Sequence, residues 1–143
     1  MPALQFVAIL SAILFSGAAL YISLVEHPAL MECGSELAAA VFGPSYRRAA
    51  VMQVILALSA AVGGTGVWLM RGPSVWLVGA LLIFAVIPFT LTAVRPVTQK
   101  LLDPGLERGS EEARRLLEKW GKLHAVRSIL GLLTSTTFVC SVI

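Results

Sequence analysis

The stretch SVWLVGALLIFAVIPFTLTAV, from Ser74 to Val94, decides the fold class, because it carries no charge and is long enough to cross a bilayer as a helix. Three other apolar runs are of similar length: about Ala3 to Val25, Ala49 to Met70 and Leu123 to Ile143. The chain of 143 residues is 57% hydrophobic and 13% charged, with a mean hydropathy of +0.86. Water-soluble domains are far less apolar. The sequence therefore predicts an all-α protein, a four-transmembrane-helix bundle that forms a single domain over residues 1–143.

Charged residues are gathered on one side of the predicted membrane. With four spans, both termini and the turn at Arg71 share one side, whereas segments 26–48 and 95–122 share the other. Of eleven Lys and Arg residues, only Arg71 falls on the first side, and all eight Asp and Glu residues fall on the second. The positive-inside bias predicts an inner (plasma) membrane protein with both termini outside and segments 26–48 and 95–122 cytoplasmic. This topology and contact with membrane lipid explain the net charge of +3, so nucleic acid binding is not expected.

The two cytoplasmic segments are expected to carry structure of their own. Pro28 discourages continuation of the first span, and the apolar stretch from Leu37 to Phe42 predicts a short interfacial helix in the first loop. Ser110 can cap a helix that runs without a break into the fourth span and so extends it into the cytoplasm. Pro88 predicts a kink in the third span. The first run is expected to be a retained span, because Met1 to Phe6 lack the Lys or Arg of a signal peptide.

Five polar or aromatic residues are expected to meet at the edge of the bilayer. Glu26 and His27 end the first span, and Trp120, His124 and Arg127 share one face of the fourth helix because of their spacing. In the functional interpretation, Arg127 pairs with Glu26 or a bound anion, and His124 faces His27 across a small polar pocket. The alternatives are a solvated helix end and a pair of interfacial anchors, Trp120 and Arg127. Three residues past the third span are expected at the same level: Arg95, Thr98 and Gln99.

Three motifs occur together in this chain. They are GAALYIS (Gly17 to Ser23) followed by EHPA (Glu26 to Ala29), Pro-Val-x-x-x-Leu (Pro96 to Leu101), and Trp120-x-x-x-His124-x-x-Arg127. In their order and spacing the chain resembles the anthrone oxygenase-like family of small four-helix membrane proteins. That resemblance implies oxidation of a polyketide anthrone to an anthraquinone with molecular oxygen, generally without a cofactor, as in fungal members. It also implicates His27, Trp120, His124 and Arg127. One departure is Thr98, where the family pattern has Asn.

The leading hypothesis is an integral-membrane oxygenase or oxidoreductase that acts on a lipophilic aromatic or quinone-like small molecule with molecular oxygen. His27 or His124 would be the general base, and Arg127 would stabilise the oxyanion. Alternatively, His27, His124 and Glu26 would bind copper or iron. The cofactor is left open between none, such a metal and, less favoured, haem held by both histidines. The second hypothesis is a non-catalytic protein, such as a small transporter, a lipid-binding factor or a partner subunit. A homo-oligomer is left open.

Overall fold

The computed structural model describes residues 1–143, which form four long helices and no strand. Every one of these helices is long and apolar enough to cross a membrane. In chain order they are α1 (Pro2–Glu32), α2 (Ser35–Leu69), α3 (Val75–Leu101) and α4 (Glu111–Cys140). The predicted all-α four-helix membrane bundle is therefore confirmed.

The connection between α1 and α2 differs from the prediction. Pro28 does not end α1, because it follows a π-helical turn, Ile22–Glu26, and lies in the first turn of the α-helical segment that completes α1. Proline is tolerated in a first turn, where its missing N–H is not needed. The chain reverses instead at Gly34, whose φ of 97° is readily adopted by glycine. The stretch from Leu37 to Phe42 is accordingly the beginning of α2, and the separate interfacial helix predicted there is wrong.

No separate interfacial helix forms because the beginning of α2 packs against other helices of the bundle. Ala38, Ala39 and Phe42 are buried in a cluster with side chains of α3 and α4. This cluster lies at the end of the bundle formed by segments 26–48 and 95–122, which we call the charged end. Because Ala38, Ala39 and Phe42 are covered by other helices, this stretch continues as part of α2 instead of lying as a separate helix on the membrane surface.

The predicted extension of the fourth helix is confirmed. Ser110 caps α4, its hydroxyl accepting a hydrogen bond from the Ala113 amide at 3.1 Å, and the helix continues without a break to Cys140. One face of the helix is buried through Trp120, His124 and Arg127. The α3 helix is irregular where Pro88 predicts a kink, since its α-helical geometry gives way to a π-helical turn at Thr90–Val94.

A second core lies towards the termini, where α3 and α4 approach closely. The rings of Trp76 and Phe138 stack with centroids 5.1 Å apart, and both side chains are fully buried. Gly79 makes room for this pair, because a Cβ atom at that position would collide with the ring of Phe138. The close contact between α3 and α4 therefore depends on the absence of a side chain at Gly79.

We expect Gly79→Ala to destabilise the protein by about 1–3 kcal/mol, the usual cost of forcing a methyl group into a packed core. Thermal unfolding in detergent measures the effect. Gly17→Ala is the matched control, since an added Cβ there meets nothing within 4 Å. If Gly79→Ala unfolded at the same temperature as Gly17→Ala, the close packing of α3 on Phe138 would be incorrect.

Candidate functional site

A pocket lies between α1, α2 and α4 at the charged end of the bundle. Most of its lining residues are hydrophobic. The structure brings all five predicted site residues to its wall: Glu26, His27, Trp120, His124 and Arg127. The residues past the third span do not take part, because Arg95 and Gln99 are exposed and Thr98 is buried elsewhere, its hydroxyl donating to the Val94 carbonyl.

The α1 wall of the pocket is built on the π-helical turn Ile22–Glu26. Such turns insert a residue into the helical register and are frequent at functional sites. Ser23 and Glu26 lie within this turn and His27 directly follows it. The imidazole of His27 rests against α4 at Gly121, where an added Cβ would lie 2.5 Å from its Nε2 atom. A glycine in α4 thus allows His27 to approach the helix backbone.

Aromatic rings surround Trp120 in the pocket. The imidazole of His124 stacks on its indole at a centroid distance of 4.8 Å, and that of His27 is tilted against it at 5.4 Å. Phe42 meets the indole edge-on at 5.1 Å. Trp120 and Arg127 are both only 5% exposed, so they do not fit the alternative of interfacial anchors, which point towards the membrane surface. Both imidazoles instead belong to one interior site.

Arg127 has a different partner from the one predicted. Its Nη2 atom donates a hydrogen bond of 2.7 Å to Oε1 of Gln53, and both side chains are buried. The predicted ion pair with Glu26 is not formed, because the carboxylate of Glu26 accepts a hydrogen bond of 2.8 Å from Ser45 instead. Sequence reasoning missed Gln53, although a polar side chain within the apolar run 49–70 was a usable signal. The guanidinium of Arg127 is therefore paired with the neutral amide of Gln53 and with no carboxylate.

Three buried N–H groups at this site have no hydrogen-bond partner in the protein. They are Nε1 of Trp120, Nε2 of Gln53 and Nε of Arg127, and all three residues line the pocket. A buried donor left unsatisfied costs about 1–3 kcal/mol. All three groups are donors, so an acceptor oxygen of a ligand that reached them would satisfy them.

The imidazole of His124 is held by the hydroxyl of Ser23, which in turn contacts the hydroxyl of Ser128. Its Nδ1 atom lies 3.0 Å from Oγ of Ser23, which is 2.8 Å from Oγ of Ser128. The Ser128 hydroxyl also donates to the Ala19 carbonyl at 3.0 Å. The other ring nitrogen of His124, Nε2, has no partner in the protein and is the one available to a ligand. His27 has no comparable side-chain hydrogen bond.

The metal-ligand hypothesis gains no support from this geometry. No group of three or more His, Cys, Asp or Glu side chains is arranged to hold a metal ion. Nδ1 of His124 is engaged by Ser23, and the Glu26 carboxylate by Ser45. Binding of copper or iron by Glu26, His27 and His124 stays a prediction.

The fold and the site define a small integral-membrane protein with a donor-rich pocket at one end of a four-helix bundle. The family model for anthrone oxygenase matches residues 41–137, and the chain belongs to this family. It is 28% identical over 140 aligned residues to an anthrone oxygenase of Claviceps purpurea (strain 20.1), with coverage of 88% of this chain and 80% of that protein. No solved structure matches. The matched region includes Gln53, Trp120, His124 and Arg127, whereas Ser23 and His27 lie before it.

Proposed function

We propose that this protein is an integral-membrane oxygenase that converts a lipophilic, anthrone-like aromatic ketone to a quinone with molecular oxygen. The observation that carries the proposal is the set of three buried, unpartnered N–H groups on Gln53, Trp120 and Arg127. Family membership and the Claviceps relative point to the same chemistry. The mostly hydrophobic lining matches the apolar faces of a polycyclic aromatic ligand, and the cavity of about 40 Å³ must widen to admit one.

Donor groups suit this reaction because the substrate becomes an anion. An anthrone carries a CH₂ group opposite its ketone, and loss of a proton from that carbon moves negative charge onto the ketone oxygen. N–H groups fixed in a site from which water is excluded stabilise such an oxyanion without reorganisation. Arg127 contributes a positive charge that forms no ion pair with a carboxylate of the protein. We therefore assign the oxyanion position to the N–H groups of Arg127 and Gln53, whose side chains are hydrogen-bonded to each other.

His124 is the better candidate for the base, because Ser23 orients its ring and leaves Nε2 without a partner. In the proposed reaction, Nε2 takes the proton from the CH₂ carbon. The carbanion forms a C–O bond with molecular oxygen, which is reduced to a peroxide, and the imidazolium protonates the terminal peroxide oxygen. Loss of the second proton from carbon breaks the O–O bond and forms the new carbonyl. One anthrone and one O₂ thus give one quinone and one water.

The charge distribution supports a location for this reaction. Ten of eleven basic residues belong to the charged end or to the adjoining part of α4, Arg71 being the exception. We therefore place the charged end at the cytoplasmic face of the inner membrane and both termini outside. The pocket would then receive a lipophilic substrate from the bilayer at its cytoplasmic boundary.

The proposal is tested with purified protein in detergent and a simple anthrone. We expect protein-dependent quinone formation with one O₂ consumed per quinone, and incorporation of one ¹⁸O atom from ¹⁸O₂ into the new carbonyl. Heat-denatured protein measures spontaneous oxidation, and metal analysis of the same sample tests the copper or iron prediction. Binding of the anthrone without oxidation above the spontaneous rate would contradict the proposal and favour a non-catalytic binding protein.

We expect Gly121→Ala to lower kcat/KM by roughly tenfold to a hundredfold, a range typical of a misplaced active-site group. The added methyl group would displace the imidazole of His27, because the new Cβ atom would lie 2.5 Å from its Nε2 atom. Steady-state oxidation of the anthrone measures the effect, and Gly17→Ala is the control. Unchanged kcat/KM in Gly121→Ala would show that the position of His27 does not matter for turnover.

A further inference from the structure

Two serines outside the proposed reacting groups form a chain of hydrogen bonds with His124. The chain runs from the Ala19 carbonyl on α1 to Ser128 on α4, back to Ser23 on α1, and then to Nδ1 of His124 on α4. Its successive distances are 3.0, 2.8 and 3.0 Å. Ser128 is 3% exposed and His124 is 2% exposed, whereas Ser23 between them is half-buried.

Each hydroxyl has a single proton, so only one order of donors makes all three hydrogen bonds. If Ser128 donates to the Ala19 carbonyl, Ser23 donates to Ser128 and must accept from Nδ1–H of His124. In the reverse order, Ser128 donates to Ser23 and Ser23 donates to Nδ1, so the carbonyl loses its bond from Ser128. The first order makes three hydrogen bonds and the reverse makes two.

A second carbonyl favours the same order. The Ser128 hydroxyl is also 3.3 Å from the carbonyl of His124, one turn earlier in α4. A serine within a helix commonly donates to the carbonyl four residues before it. Whichever of the two carbonyls accepts the hydrogen bond from Ser128, the Ser128 hydroxyl can then only accept a hydrogen bond from Ser23. Ser23 must then donate to it.

We propose that Ser128 and Ser23 are positioning residues that hold His124 in its Nδ1–H tautomer, so that Nε2 is the proton acceptor presented to the pocket. A neutral imidazole has one N–H, so a proton on Nδ1 leaves a lone pair on Nε2. Arg127 lies three residues further along the same helix, and a second buried positive charge beside it would be costly. The use of Nε2 as the base rests on the proposed function, whereas the tautomer itself does not.

This tautomer complements the other polar groups of the pocket. Gln53, Trp120 and Arg127 each have one buried donor atom without a partner. Nε2 of His124 adds an acceptor, which is what removal of a proton from the substrate requires. With the reverse tautomer, Nε2 would be a further donor and could not take a proton.

NMR of protein labelled with ¹⁵N-histidine tests the assignment without substrate. The protein has two histidines, so in His27→Gln the only histidine signals are those of His124. We expect Nδ1 to be protonated and Nε2 unprotonated. In Ser128→Ala, the Ser23 hydroxyl loses its acceptor and can turn to donate to Nδ1, so the Nε2–H tautomer should become the major one. Ser135→Ala is the matched control, because this buried serine of α4 bonds to Ser16 instead.

Activity provides a separate readout. We expect Ser128→Ala to lower kcat roughly fivefold to tenfold, the ratio that one hydrogen bond supports, with KM changed less than twofold. Ser23→Thr keeps the hydroxyl and should keep both the tautomer and kcat. An Nε2–H tautomer or an imidazolium in the parent protein, or an unchanged tautomer in Ser128→Ala, would overturn the assignment. Failure to oxidise any anthrone would instead refute the proposed function and leave the NMR result standing.

Discussion

Arg127→Met is expected to lower kcat/KM for anthrone oxidation by roughly a hundredfold to a thousandfold, the usual cost of removing one oxyanion donor. The guanidinium is the only positive charge among the three unpartnered donors of the pocket, and it is 5% exposed. Methionine has a similar length but can neither donate a hydrogen bond nor carry charge. Initial rates of quinone formation measure the effect.

The same substitution has a second consequence, for stability. A buried guanidinium without a carboxylate partner is costly to fold, and replacement of buried charged groups by apolar ones is often stabilising by about 1–4 kcal/mol. Because Arg127→Met would leave Oε1 of Gln53 without its donor, the gain is expected in the double variant Arg127→Met/Gln53→Leu. Thermal unfolding in detergent tests this. A functional charge is thus expected to be kept at the expense of stability.

Arg95→Met is the control for both measurements, since Arg95 is exposed at the same end of the bundle and lines no part of the pocket. It should leave kcat/KM and the unfolding temperature unchanged. Retention of more than about a tenth of the activity in Arg127→Met would contradict the proposed oxyanion site. A double variant less stable than the parent protein would contradict the view that the Arg127 charge is uncompensated.

His124→Gln is expected to lower kcat by roughly a hundredfold to ten-thousandfold, the range for loss of a general base. His27→Gln should cost less, because His27 has no hydroxyl partner that fixes its ring, whereas Ser23 holds Nδ1 of His124. Comparison of kcat and KM for the two variants measures the difference. Partial recovery of His124→Ala by added imidazole would be further support. A larger loss of kcat in His27→Gln than in His124→Gln would assign the base to His27 instead.

The spacing of residues along one helix was a reliable guide to this fold and site. Four apolar runs predicted the four helices, and the spacing of Trp120, His124 and Arg127 predicted a shared buried face. Both features depend only on helical periodicity and on apolar length, which are local properties of the sequence. The same reasoning placed His27 near this face, because helix ends on one side of a membrane lie at a similar depth.

Features that depend on contacts between helices could not be predicted. Nothing in the periodicity of α2 indicates that Gln53, and not Glu26, is the partner of Arg127. Ser23 reaches His124 only because a π-helical turn lies in α1, and Pro28 gave the opposite expectation of a helix end. These outcomes depend on how three helices pack, and a pattern along one helix does not contain that information.

The central claim is that the pocket binds its substrate as an anion, and anaerobic mixing of the protein with an anthrone tests it most directly. Without oxygen the reaction must stop after proton removal. We predict a saturable, long-wavelength absorption of the deprotonated anthrone at neutral pH, its absence in Arg127→Met, and its conversion to quinone when O₂ is admitted. An anthrone that quenches tryptophan fluorescence, and so binds, but stays in its neutral form would contradict the claim. So would equal formation of the anion by Arg127→Met.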